Sequence, residues 1–177
     1  MIKSSDEDGS TILDDVAVQT TIFAKKIARK LLKDSKLSTP PILLNDVFKT
    51  LDLKISVKGK DLGDDDGFCV NDKIIVYNNQ KSRNRYRFTV AHELGHILLG
   101  HNSGSAPSKI NFYSKNEVER NANSFAAELL APITLLKKEK LGNMSITDLA
   151  NKYEVSHDMM QWRLKESKLD LKVASWK

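Results

Sequence analysis

Cysteine is almost missing from the 177 residues: Cys69 stands alone, which excludes an internal disulfide framework and any metal site built from several thiolates, and it fits a reducing compartment. Long apolar runs are missing too. None approaches the roughly 20 residues needed to cross a bilayer, so neither a transmembrane helix nor a membrane partner is expected. The opening stretch Met1-Ile2-Lys3-Ser4-Ser5-Asp6-Glu7-Asp8 is polar and lacks an apolar signal segment, which makes cytoplasmic residence the expectation. Charge is only mildly one-sided: a formal net charge of +5 and a pI near 9.2 permit nucleic-acid contact without requiring it. With 40% hydrophobic and 29% charged residues the chain is neither fibrous nor wholly disordered, and its length suits one domain with a small appended module.

The pattern along the chain divides it into a disordered leader at 1–11, a core domain at 12–142, a helical segment at 143–170 packed on that core, and a tail at 171–177. Over 13–32 the apolar residues Val16, Ile22, Phe23, Ile27 and Leu31 recur at near-helical spacing between Lys25, Lys26, Arg29 and Lys30. Ser38-Thr39-Pro40-Pro41 ends that helix, because proline lacks the amide hydrogen and restricts its predecessor. A short helix over 43–51 follows. Leu53, Ile55 and Val57 then alternate with Lys54, Ser56 and Lys58, the pattern of a half-buried strand. Asn71-Asp72 separates Phe68-Cys69-Val70 from Ile74-Ile75-Val76-Tyr77 as a hairpin turn would, giving three strands in all. The cluster Asp61, Asp64, Asp65, Asp66 reads as a solvated loop, since Leu62 stands where a calcium loop needs an oxygen donor.

From Ser82, a plausible N-cap, a helix with the stripe Val90, Leu94, Ile97, Leu98 runs to Gly100. A loop spans 102–108, and another helix covers about 115–130, stopped by Ala131-Pro132. Ser145-Ile146-Thr147-Asp148 has the form of a capping box opening a helix to Tyr153, and Ser156 suits the cap of a last helix through Lys168. Trp162, Trp176 and Phe125 read as core aromatics, and Cys69 as a small buried hydrophobe.

The chemistry centres on His92-Glu93-Leu94-Gly95-His96. Residues four apart on a helix are offset by about 40 degrees, so both imidazoles can point at one ion, while Glu93, rotated roughly 100 degrees, is placed to act on water rather than bind the metal. Zinc accepts imidazole nitrogen readily and fits such a pair. Gly95 in mid-helix costs about 1 kcal/mol relative to alanine, which implies that another backbone packs closely at that turn. A catalytic zinc takes three protein ligands, so one more is required. His101 lies five residues after His96, off the six-residue metzincin spacing, and reads more readily as a helix-end histidine. His157 could approach only through folding. Glu119 shares a helix face with Asn123, so a carboxylate on the metal could stand beside an amide that holds a histidine by hydrogen bond. Glu117 competes with Glu119 but lies about 200 degrees around the helix.

Two blocks, Arg87-Phe88-Thr89-Val90-Ala91-His92-Glu93-Leu94-Gly95-His96 and Glu119-Arg120-Asn121-Ala122-Asn123-Ser124-Phe125-Ala126-Ala127-Glu128-Leu129-Leu130-Ala131-Pro132, resemble the signatures of the ImmA/IrrE-type zinc metallopeptidases, an HExxH family of gluzincin-like character. The resemblance covers about residues 40–170, with a helical tail through Leu149-Ala150, Val155-Ser156 and Arg163-Leu164. It departs in Ala131, where methionine commonly precedes the proline. A chain that stops after the tail would also lack the large sensory domain of some members, which leaves the activating signal open.

The resemblance implies an α+β fold: a small three-stranded sheet on a mainly helical zincin-like core, with a helix-turn-helix-like C-terminal segment. It implies that His92, His96 and Glu119 hold zinc and that Glu93 is the base, with Asn123 placed by its helix face to support a ligand histidine. It also implies a substrate class, helix-turn-helix repressors of mobile elements or stress regulons. The expected activity is therefore zinc-dependent endopeptidase cleavage of a protein substrate. His101, Tyr113, His157 and Arg163 are all eligible to stabilise the oxyanion. The alternative is a non-enzymatic zinc-containing regulator that binds DNA or protein, using 145–168 as a helix-turn-helix with Lys165 and Lys168 on phosphate. The stretch His157-Asp158-Met159-Met160-Gln161-Trp162 is poor in base-reading side chains, which weighs against it.

Overall fold

The computed structural model describes residues 8–101 and 107–174, with side chains from residue 19 onward. Residues 1–7 of the expected leader, 175–177 of the expected tail with Trp176, and 102–106 of the expected loop lie outside the described residues, as does the side chain of Val16. Among the described residues there are seven α-helices and one three-stranded sheet, an α+β arrangement dominated by helix.

The first helix, α1 (Asp8–Asp34), starts earlier than the apolar periodicity indicates. Its packed stripe also differs from the expected one. Ala24, Ala28, Leu31 and Leu32 are buried, while Ile22 and Phe23 face outward at 41% and 55% exposure. Small alanines let α1 lie close to its neighbour α4, an approach that bulkier residues would prevent. The short α2 (Leu44–Thr50) anchors through Leu44 and Val47.

Three strands follow, β1 (Ser56–Lys60), β2 (Gly67–Val70) and β3 (Ile74–Asn78), in the order β1-β3-β2. β2 and β3 form the expected hairpin, and Asn71 and Asp72 both take positive φ (49° and 53°), which favours a tight two-residue turn. β1 joins parallel to β3 and is exposed along its whole length, not half-buried. The reason is layering: α3 (Arg83–Leu98) packs on β2 and β3, leaving β1 as an edge strand with little beneath it.

The two helices of interest are each set by a side-chain cap. Ser82 accepts from the Arg85 amide at the start of α3, and Asn116 accepts from the Val118 and Glu119 amides at the start of α4 (Glu117–Leu130). α4 lies between α3 and α1. Gly95 permits the α3–α4 approach, because a Cβ there would stand 2.9 Å from the Phe125 ring and 3.3 Å from the Ala122 backbone. Gly67 does the same for β2 against α3, where a Cβ would meet Thr89 Cγ2 at 2.4 Å. α3 is consequently buried without a break from Arg87 to His96.

After α5 (Ile133–Leu136), a Ser145–Asp148 capping box opens α6 (Ile146–Tyr153), and Ser156 caps α7 (His157–Glu166). Met159, Met160, Arg163 and Leu164 turn inward from α7. Glu128, fully buried on α4, accepts from Arg29 of α1 at 2.8 Å and from Arg163 of α7, whose Nε also donates to the Ala131 carbonyl. One carboxylate thus ties three helices together. Asp66 corrects the reading of its cluster as solvated: it is buried, takes two hydrogen bonds from Arg85 at 2.6 and 2.7 Å, and accepts from the Ile110 amide. Burial alone would raise its carboxyl, but Arg85 and the Ile110 amide hold it below the usual range. Cys69 is buried on β2, where burial pushes its thiol up.

Candidate metal centre

His92 and His96 project from the same face of α3, and Glu119 meets them from the first turn of α4. Their ligand atoms all lie within 4.8 Å of one another. His92 Nε2 is 3.0 Å from His96 Nε2, and the Glu119 oxygens lie 3.2 Å from the first and 3.5 Å from the second.

The neighbouring hydrogen bonds decide which nitrogens face inward. Asn123 Nδ2 donates to the Asn111 carbonyl at 2.8 Å, which fixes the amide with its oxygen toward His92. That oxygen lies 3.0 Å from His92 Nδ1 and has no hydrogen to give, so Nδ1–H must donate and Nε2 is left with its lone pair turned inward. His96 is oriented from the other side. Gly100, at φ +68°, ends α3 with its amide on the Ile97 carbonyl at 3.2 Å and the His101 amide on the His96 carbonyl at 3.0 Å, a Schellman closure. This turn folds His101 back so that its Nδ1 meets His96 Nδ1 at 3.2 Å. A His96 Nδ1–H donating there leaves Nε2 free in the same way. Two ring lone pairs and a carboxylate converging at these distances repel one another unless a cation sits among them, so the donor set fits a divalent metal.

Burial shapes the charges. It pushes the His96 ring down to about 3, helped by neighbouring His92, and it lowers His101 as well, so both stay neutral at ordinary pH, His96 with a lone pair for a metal and His101 with one to accept the His96 Nδ1–H. Glu93 goes the other way. Its carboxyl is buried, makes no side-chain hydrogen bond among the described residues, and is pushed up to about 7 by burial, against the pull of His92 and with a push from Glu119.

The remaining sequence candidates separate clearly. Glu117 turns away from the centre and accepts from Thr20 of α1 at 2.8 Å. His157 stands at the start of α7, half exposed and 3.9 Å from Asp158. The Arg163 guanidinium is occupied by Glu128, Glu166 and the Ala131 carbonyl, which removes it from the oxyanion candidates. Tyr113 is 69% exposed on the loop before α4. Sequence reasoning missed two participants, His101 as the partner of His96 Nδ1 and the Asn111 carbonyl as the brace for Asn123. The first had a signal: a glycine just past a helix end places the following residue over the last turn. The Asn111 carbonyl, a backbone atom, had none.

A family model for the IrrE N-terminal-like domain, a peptidase family, matches residues 48–165 and so spans both blocks and the α6–α7 pair. No curated protein matches the chain.

Proposed function

Because the chain belongs to the IrrE N-terminal-like domain family of peptidases, we propose that it is a zinc-dependent endopeptidase that cuts a protein substrate, a helix-turn-helix repressor. The observation that carries the reading is the convergence of His92, His96 and Glu119 within 4.8 Å, with the imidazoles backed by Asn123 and His101.

His92 Nε2, His96 Nε2 and a Glu119 oxygen would hold the metal. Zinc, when bound, acidifies a water molecule and polarises the scissile carbonyl. Glu93 supplies the proton handling. Its carboxylate takes a proton from the attacking water at one oxygen and passes it to the leaving amine nitrogen. A carboxyl raised to about 7 suits both halves of that task near neutral pH. Asn123 and His101 keep the rings aimed, and the burial of α3 keeps bulk water from the faces of the imidazoles. Among the described residues no helix is long and apolar enough to cross a membrane.

The test is incubation of the zinc-loaded protein with purified helix-turn-helix repressors encoded near its gene, beside its Glu93→Gln form. Discrete fragments from the parent alone are the expected result. Fragments from both proteins, or none from the parent with any such repressor, would overturn the proposal.

A further inference from the structure

Arg120 is the exception among the arginines. Arg29, Arg83, Arg85, Arg87 and Arg163 each meet a carboxylate. The Arg120 guanidinium pairs with none among the described residues, and its Nε is buried without a hydrogen-bond partner. Its position makes this costly in two ways. A buried donor with no acceptor loses its hydration for nothing, and a cation in the first turn of α4 opposes the helix dipole. No ion pair or hydrogen bond among the described residues accounts for the cation here.

The guanidinium lines a cavity of about 570 Å³ between α1, the 111–114 loop, α4 and α7. Phe112 and Trp162 form one wall, stacked at 5.7 Å between ring centroids, with Ile22 and Tyr113 at the rim and Ser124 beside Arg120. The cavity's other charges, Lys25 and Glu166, neutralise each other as an ion pair. What remains is one unpaired positive fork in an open cavity with an aromatic wall and a size typical of small-molecule sites.

We infer that this cavity binds a small organic acid, with its carboxylate on Arg120 and its apolar or aromatic body against Phe112 and Trp162. A guanidinium matches a carboxylate with two parallel hydrogen bonds, and Phe112 and Trp162, both lining the cavity, offer aromatic surface to the rest of the molecule. The site is separate from the metal centre yet borders its support. Phe112 follows Asn111, whose carbonyl braces Asn123, and the Phe112 ring packs edge-on to Phe88 at 5.0 Å. The inference holds whether or not the metal centre hydrolyses peptides.

The experiment uses the full chain carrying Trp176→Phe, so that Trp162 is the sole tryptophan and reports under tryptophan-selective excitation. It is titrated with 3-phenylpropionate, with the neutral 3-phenylpropanamide, and with a capped peptide containing Phe-Glu. The expected result is a saturable change with the free acid and binding about tenfold or more weaker for the amide. Arg120→Gln should weaken the acid by a similar factor, and Arg120→Lys should fall between. Should Arg120→Gln fail to fold, as a thermal melt would show, the acid–amide comparison and Arg120→Lys still decide. Equal binding of acid and amide, an unchanged affinity in Arg120→Gln, or a response to the peptide without one to the free acid would overturn the inference.

Discussion

His92 Nδ1 and Asn123 Oδ1 lie 3.0 Å apart, and the opposite end of the same amide is pinned to the Asn111 carbonyl. The relay sets both the proton position and the angle of the His92 ring. Asn123→Ala should therefore weaken zinc binding roughly 10- to 100-fold while leaving the fold intact. Competition against a chromogenic chelator measures this, and parental affinity would mean that His92 needs no brace.

Glu93→Gln should retain metal and lose cleavage by about 10²- to 10⁴-fold, since the amide cannot take up a proton. His92→Ala should lose the metal itself. Metal analysis and a cleavage assay on the same preparations separate the two outcomes.

In the metal-free protein the Glu93 carboxyl rises from 4.5 to about 7 because it is buried. The folded chain then holds a proton that the unfolded chain releases, so stability falls as pH climbs from 4.5 through 7, by up to roughly 3 kcal/mol. His96, depressed to about 3, works in the opposite sense between 3 and 6.5, but it is shared by parent and variant. Glu93→Gln should gain on the parent as pH rises across that window. Denaturant unfolding of chelator-treated protein at pH 4.5 and 8 tests this, and a constant difference would refute it.

Gly95→Ala sets two effects against each other. Helix propensity favours alanine by about 1 kcal/mol, whereas overpacking in a tight core costs about 1–3 kcal/mol. With Phe125 at 2.9 Å and the Ala122 backbone at 3.3 Å, packing should win, leaving a net loss of about 1 kcal/mol. A rise in melting temperature would show that the two helices separate easily.

Glu128→Gln removes the charge shared by Arg29 and Arg163, leaving Arg163 in the core with only its outer partner Glu166. The expected loss is about 3 kcal/mol or more by denaturant unfolding. Replacing Glu128 and Arg163 together with Leu and Met should cost much less.

Local signals were legible in the sequence where they are short-range. Ser82, the Ser145–Asp148 box and Ser156 mark their helix starts because a cap acts within three residues. The His92, His96, Glu119 and Asn123 set was legible because helical spacing and the family likeness point to the same positions. Gly95 announced a close neighbour, though not which one. Long-range partners were hidden: Asp66 reads as solvated until Arg85, 19 residues on, is seen to claim it. β1 misled for a related reason. Alternation of apolar residues promises a buried face only if a second layer arrives to cover it, and α3 stops at the neighbouring strands.

The Glu128 junction also orders events during synthesis. Its two arginine partners lie 99 residues upstream and 35 residues downstream, so helix α4, which carries Glu119, lacks its full set of anchors until residue 163 has left the ribosome. A nascent chain therefore completes this anchorage only after α7 has emerged.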